Sequence, residues 1–526
     1  MHTSRRWYDD PLILLALVVC LGTFLAQSGE LGSADTMHRL QTAHSFWTAE
    51  PPVFPQEYPE FGVHGRGGKI YDWYGIGQPI LMLPADIVGT YIAKLHVFAA
   101  YGDTDPTVRN IFVTYTINIL ISLLTALISL RLLRQLEFTP KQSIAGALAL
   151  IFCTTHLHYS QNMMENNYIM LLTLIGFSYQ YEWLREGKRN ALLIGSAAFG
   201  LNLLTRLTTA VDIFVGGIFL LLVLFFQKAG LRSMSDRIVA YIKVSAPVYG
   251  FFFLLDRLYQ FHRFGTFLNT YVHYFTIEHR LQDPTLPANY PWETPFHVGF
   301  LGPLITPEKS IFLFDPLMIL AVVLAIWSWK RLLPEVKAYI VASFLLLLGY
   351  ICVYARYTVW SGDFAWGDRY VSTAAELAAF ISVPLLFRFR KEIARPLWVA
   401  GIALIAISAI IQAASLMFWL SLEIYQLETL GHPTFIVWLR FKNILAFALG
   451  KMDAWGLNNE AMTQDPWDYV HITTWNFLPF VLRRVGEAPV WVVKLASVIW
   501  GMVLAAFIAV SAQLARVLAK PDYMEL

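Results

Sequence analysis

Asp35 opens the stretch ADTMHRLQTAHS, with His38 and Arg39 three and four residues further on. On a helix those spacings put all three side chains on one face. A carboxylate at such a helix start either caps it by accepting backbone N–H groups or takes a proton from a reacting hydroxyl. A second acid, Glu165, falls in HYSQNMMENN, a short turn between two apolar runs. There it is either a solvated turn charge or the partner carboxylate of Asp35. Four cations are candidates for holding a phosphate: Lys69 in GGKIYDWYGIG, Arg206 in NLLTRLTTAVD, Arg356, and Arg369. Tyr74 is a substrate-binding candidate beside Lys69. For Arg206 the alternative is a structural pair with Asp212.

The densest chemistry lies in TVWSGDFAWGDRYV, residues 358–371. Trp360, Trp366 and Tyr370 suit a membrane headgroup boundary and can also stack on sugar faces. Gly362 and Gly367 permit a tight turn that brings backbone close to a ligand. Asp363 and Asp368 either orient Arg369 or bind sugar hydroxyls. The alternative is an aromatic belt with an Asp–Arg pair.

Hydrophobic residues make up 56% of the 526 residues and charged residues 14%, with a mean hydropathy of +0.51. A soluble domain carries about 25% charged residues, so the elements positioning these groups are membrane helices. The expected class is an all-α polytopic membrane protein. A crossing needs roughly 20 apolar residues. About twelve stretches qualify, at 11–29, 111–131, 143–163, 167–184, 191–205, 209–227, 238–258, 312–329, 337–355, 371–388, 396–419 and 490–513. The apolar segment 434–450, broken by Arg440 and Lys442, is expected to be an interfacial helix.

Loops richest in Lys and Arg face the cytoplasm. Placing the N-terminus inside puts Arg131, Arg134, Lys141, Arg185, Lys188, Arg189, Lys228, Arg232, Arg237, Lys330, Arg331, Arg388, Arg390 and Lys391 there. The long segments near 30–110, 259–311 and 420–489, together with 358–371, then lie outside. Loops beyond about 15 residues in compact proteins are usually functional or disordered, and these are rich in aromatic residues. The two halves of the chain show no repeat, which argues against a transporter built from inverted halves.

The net charge of +2 is dispersed and implies no nucleic-acid partner. Cys20, Cys153 and Cys352 sit in separate apolar runs, where they read as packing residues. No metal spacing is evident: His156 and His158 are two apart, off a common helix face. Asp103 and Asp105 form a DxD pattern, either a metal-binding pair or a pattern that a proline-flanked outer turn forms easily; a divalent metal is not indicated and no cofactor is expected. The absence of any Asn-x-Ser/Thr motif fits a bacterial plasma membrane.

Four motifs carry a resemblance. GGKIYDWYGIGQPILMLPADIVG resembles the stretch after the first span in bacterial phospholipid-carrier-dependent glycosyltransferases of the GT-C superfamily, which include protein O-mannosyltransferases and the aminoarabinose transferase of lipid A. LYQFHRFGTFLNTYV resembles their aromatic–Arg-Phe-Gly segment. LITPEKSIFLFDPLMILA resembles their Ser/Thr-Pro-x-Lys stretch leading into the next span, and WSGDFAWGDRYV their Trp- and Gly-rich loop ending in Arg-Tyr. The resemblance covers most of 1–390, read as a catalytic core containing the outer loop 30–110. Residues 391–526 match nothing and form a C-terminal membrane region. Those families carry an Asp-Glu pair in the first loop; here it is Asp35-Thr36, so the second carboxylate either comes from elsewhere, with Glu165 as the candidate, or is absent.

The resemblance implies a glycosyltransferase (EC class 2.4) moving a sugar from a polyprenyl-phosphate carrier to an envelope lipid, glycan or protein outside the plasma membrane. Breaking the C1–O bond builds charge on phosphate, which calls for fixed cations. The attacking hydroxyl needs one base, and a single displacement inverts the anomeric centre. A lipid or glycan transporter and a polysaccharide polymerase or ligase are the alternatives. Membrane lipids and the lipid-linked donor are the expected partners.

Overall fold

The computed structural model describes residues 9–58, 61–102, 104–452, 470–486 and 488–520. The described residues form helices joined by turns and by longer loops such as 46–76 and 283–295, with one two-stranded antiparallel hairpin among them, β1 (Val63–His64) and β2 (Ile70–Tyr71). In order the first helices are α1 (Pro11–Ala26), α2 (Ala34–Ser45), α3 (Gly77–Ala93), α4 (Val108–Gln135), α5 (Pro140–Phe152), α6 (His156–Asn162), α7 (Asn166–Glu186) and α8 (Arg189–Thr205). There follow α9 (Ala210–Phe226), α10 (Leu231–Phe264), α11 (Tyr271–Gln282), α12 (Phe296–Ile305), α13 (Ile311–Phe314), α14 (Leu317–Ser328) and α15 (Pro334–Tyr354). The last are α16 (Ser372–Ala379), α17 (Ser382–Arg388), α18 (Arg395–Ser415), α19 (Ser421–Glu428), α20 (Ile436–Ala448), α21 (Leu478–Arg483) and α22 (Val490–Ala519).

Local sequence sets the ends. Asp10 accepts the Leu12 N–H at 2.8 Å ahead of Pro11. Thr139 and Gln142 form a reciprocal box around Pro140, which satisfies N–H groups that the first helical turn leaves unpaired. Gly187 and Gly265 close α7 and α10 in the left-handed conformation, where a Cβ would be strained.

Among the described residues six helices are long and apolar enough to cross a membrane: Val108–Gln135, Leu207–Phe226, Leu231–Phe264, Pro334–Tyr354, Arg395–Ser415 and Val490–Ala519. Five others of the twelve expected stretches fall on shorter elements. α1 is 16 residues and α8 is 17. The stretch 143–163 breaks between α5 and α6, 312–329 at Asp315-Pro316, and 371–388 between α16 and α17. The last, 167–184, lies in α7, which carries Gln180, Glu182 and Arg185. The main apolar core joins α4, α5, α7 to α9 and α14 to α17. α22 packs on α1, so the C-terminal helix lies against the N-terminal one.

Two local expectations change. The segment 434–450 forms α20, and Arg440, instead of facing a headgroup surface, is fully buried, held by Glu423 and by carbonyls of Ala414, Ser415 and Phe418. Of the three thiols only Cys153 is buried, while Cys352 is exposed on the outside of α15.

Candidate functional site

Ser33, not Asp35, caps α2: its hydroxyl accepts the Thr36 N–H at 3.2 Å. Asp35 is thereby left free for other partners in the first turn, where a helix favours negative charge. Its Oδ1 accepts from the Tyr74 hydroxyl at 2.6 Å, and its Oδ2 from Arg369 Nη1 at 2.6 Å. One turn on, Arg39 lies 3.9 Å from the same carboxylate and 4.1 Å above the Tyr74 ring. Arg39 Nη2 is also 2.8 Å from Glu165 Oε2, off the line of a hydrogen bond. Arg206 donates to the other Glu165 oxygen.

The five charges therefore alternate: Arg369, Asp35, Arg39, Glu165, Arg206. Both terminal guanidiniums lie over one ring, Tyr370, at 5.3 and 5.1 Å. Tyr370 in turn stacks on Tyr354 at 4.2 Å. The chain of charges curls on itself with a net charge of +1. Arg39 Nη1 and Arg369 Nε are buried without a hydrogen-bond partner. A buried donor left unpaired costs about 1–3 kcal/mol, so this cluster is held short of full satisfaction.

Supporting contacts fix each part. Gly75 and Gly77 pack against the last turn of α8, where a Cβ would sit 2.3 Å from Leu204 O and from Thr205 Oγ1. The Tyr74 segment and Arg206 are thus pressed together at one helix end. Arg263, fully buried near the end of α10, donates to the Asp72 carbonyl at 2.6 Å and to the Tyr74 carbonyl at 3.1 Å. Lys309 Nζ reaches the carbonyls of Asp363, Ala365 and Gly367 at 2.6, 3.0 and 3.3 Å, shaping the loop that presents Arg369. Asn166 donates to the Arg369 carbonyl at 2.6 Å.

The electrostatics follow. Burial pushes the Asp35 carboxyl up, but Arg369, Arg39 and the Tyr74 hydroxyl outweigh it and hold the group below its ordinary value. Glu165 shows the same balance, with Arg39, Arg206 and Arg369 driving it well down. Both acids are anionic at neutral pH, and neither is a strong base while so paired. Burial raises Asp368 to about 7, and burial lowers Lys309 to about 8.

Six of the sequence candidates converge here: Asp35, Tyr74, Glu165, Arg206, Arg369 and Tyr370. Lys69, Arg356 and Asp363 are exposed and stand outside the charge cluster. Trp366 is a correction. It is fully buried, against Phe314 at 5.0 Å, His158 at 5.7 Å and Arg440 at 5.1 Å, so its ring is core rather than a sugar platform. Asp368 accepts from its own loop at Tyr370 N, and Arg369 pairs with Asp35 instead of either loop aspartate. The glycine at 362 serves a close approach to Arg369: a Cβ there would lie 2.6 Å from its Cγ. Asp212 does not hold Arg206; it accepts from Thr173, Asn202 and Tyr350.

Arg39, Arg263, Lys309 and Asn166 are the participants that sequence reasoning did not assign. Arg39 was signalled by its spacing from Asp35, Arg263 and Lys309 by the quoted motifs, and Asn166 by nothing beyond its place next to Glu165. Asp103 of the DxD pattern lies outside the described residues. Among the described residues no three His, Cys, Asp or Glu side chains gather as metal ligands would.

No protein-family model and no curated protein matches the chain. Solved structures similar to it include the archaeal oligosaccharyltransferase AglB from Archaeoglobus fulgidus, in complex with an inhibitory peptide and a dolichol-phosphate. That chain is 15% identical at a TM-score of 0.48, over 79% of this chain and 56% of its own length. This chain thus spans little more than half of AglB. ArnT from Cupriavidus metallidurans, bound to undecaprenyl phosphate, is 12% identical at a TM-score of 0.39, over 96% of this chain and 76% of its own. Both likenesses are loose.

Proposed function

We propose that the chain is a polyprenyl-phosphate-sugar-dependent glycosyltransferase acting on an envelope acceptor at the outer face of a bacterial plasma membrane. The observation that carries this reading is the alternating cluster with a cation at each end. A phosphate between Arg206 and Arg369 completes the alternation and gives the unpaired Arg369 Nε–H an acceptor. Charge-assisted bonds of this kind are the strong ones.

In the reaction the acceptor oxygen forms a bond to the sugar C1 as the bond from C1 to the carrier phosphate breaks. The electron pair leaves on polyprenyl phosphate, stabilised by Arg206 and Arg369. Asp35 takes the proton of the acceptor hydroxyl. One displacement inverts C1 and needs no covalent enzyme intermediate.

Donor and base are coupled through Arg369. A phosphate that shares this guanidinium weakens the field holding Asp35 down, so the carboxylate becomes more basic as the donor arrives. Glu165 keeps Arg39 and Arg206 in place during the exchange.

Purified protein incubated with a panel of radiolabelled polyprenyl-phosphate sugars, wild type against Asp35→Asn, tests the reading. Transfer by the wild type, with donor bound but not consumed by the variant, supports it. Unchanged glycan output with altered lipid movement between leaflets would instead mark a transporter.

A further inference from the structure

A second feature lies away from the charged cluster. α9 starts next to Arg206 and runs to Phe226, then α10 turns back alongside it. Between the two is a slot of about 380 Å³, lined by Ile213, Gly217 and Leu221 of α9 and by Ile238, Ile242 and Ala246 of α10. That volume lies within the range of about 300–1,000 Å³ typical of ligand pockets. At a rise of 1.5 Å per residue, Ile213 is roughly 10 Å and Leu224 roughly 27 Å from Arg206 along the helix. The slot therefore extends to the opposite side of a hydrocarbon layer about 30 Å thick.

Its walls are apolar along their length. Tyr241 and Tyr249 bond each other through their hydroxyls at 2.8 Å, and Gln180 donates to Tyr249 at 2.7 Å. Those hydroxyls are already occupied, and an apolar slot of this kind stays dry. Only 6% of the apolar stretch of α10 is buried within the protein, so the slot opens to the hydrocarbon. At its far end Arg237 of α10 joins the lining, with Arg232 in the first turn of the same helix and Lys228 in the turn just before it. All three are exposed, and none has an ion-pair partner among the described residues. Asp236, on α10 next to Arg237, is the acid among them.

An apolar slot ending in unpaired cations at headgroup depth matches one ligand chemistry: a hydrocarbon chain carrying an anionic head. We propose that the α9–α10 slot binds one acyl chain of an anionic glycerophospholipid from the leaflet opposite the charged cluster, with its phosphate at Arg237, Arg232 and Lys228. The basic turn supplies the preference for negative headgroups, and the slot supplies the residence of a particular chain over bulk lipid.

The test uses the full chain in phosphatidylcholine vesicles, with trace spin-labelled phosphatidylglycerol or spin-labelled phosphatidylcholine. The motionally restricted fraction of each is read by electron paramagnetic resonance. The expected result is preferential restriction of phosphatidylglycerol, screened by salt. Arg237→Ala lowers that preference about fivefold, and adding Arg232→Ala lowers it a similar amount again. Ile218→Trp fills the slot from its exposed rim and removes the restricted component with the basic turn intact. Equal restriction of the two lipids overturns the proposal, as does a preference that survives both kinds of variant. A third outcome also overturns it: Ile218→Trp weakening long-chain polyprenyl phosphates while leaving phosphatidylglycerol unaffected, which would assign the slot to a carrier tail.

Discussion

Two buried arginine–carboxylate clusters in this molecule are built from the same residue types to different ends. Around Arg440 every donor has an acceptor. Its Nε and Nη2 grip Glu423 at 2.7 Å each, and its Nη1 reaches three carbonyls. Asn443 and Gln426 close the remaining bonds between themselves and Glu423. The charges cancel, and all four side chains are fully buried. Around Asp35 three arginines face two carboxylates, and two guanidinium nitrogens find nothing. A closed network fixes helices to one another; an open, net-positive one at the end of the spans retains a use for an anion. Hydrogen-bond satisfaction and net charge separate them.

That contrast can be broken by substitution. The largest effect is expected from Asp35→Asn. This nearly isosteric change deletes a base, and general-base catalysis is worth about 10²–10⁴ in rate. Turnover of a lipid-linked sugar should fall by that much while donor binding, measured by isothermal titration with polyprenyl phosphate, is retained. Loss of binding together with turnover would recast Asp35 as an anchor for Arg369.

Next is Arg440→Ala, which leaves Glu423 in the core without its cation, held among the described residues only by the Asn443 amide. Removing one partner of a buried pair costs about 3–5 kcal/mol. The thermal midpoint in detergent should drop steeply, with donor affinity unchanged in whatever protein remains folded. Arg369→Ala should do the opposite. It removes a phosphate contact worth about 1.5–3 kcal/mol, or roughly ten- to hundredfold in donor affinity, and costs little stability because the cluster is already unbalanced. Arg369→Lys should restore part of the affinity, since the charge returns without the two-pronged geometry. A stability loss in Arg369→Ala equal to that of Arg440→Ala would erase the distinction between the clusters.

The same contrast explains what could be read in advance. Membrane character follows from composition, and long unbroken runs such as 108–135 and 490–519 announce themselves. Breaks at Asp315-Pro316 or between α5 and α6 are tertiary: Asp315 accepts the Thr155 N–H at 2.7 Å, joining two chain breaks 160 residues apart. No window of local hydropathy contains that. Asp35, Glu165, Arg206 and Arg369 were legible as charges stranded at span ends, where a charge needs a reason. Trp366 was misread because an aromatic residue in a boundary loop has the same local signature whether it faces sugar or core. Lys69 and Arg356 were singled out by type alone, and type does not report exposure. Closure of the Arg440 network depends on Glu423 lying against it across a turn, which spacing does not reveal.

The smallest expected effect concerns the loop itself. Asp368 sits beneath Arg369 and faces Lys309, and burial raises it to about 7 from an ordinary value of 3.8. Between those values the unfolded chain releases the proton and the folded one keeps it. The unfolded state then binds fewer protons, so stability falls as pH rises across that window. This loss is fully absent below about pH 4 and complete once the pH passes the folded value. Asp368→Asn imitates the protonated carboxyl and removes the slope. Thermal midpoints of wild type and variant should agree near pH 4 and separate by pH 8, with the variant the more stable. If the wild type is instead the more stable at pH 8, Lys309 holds Asp368 as a charged partner. The loop would then be a closed ion pair, like the one around Arg440, set directly against the open cluster it supports.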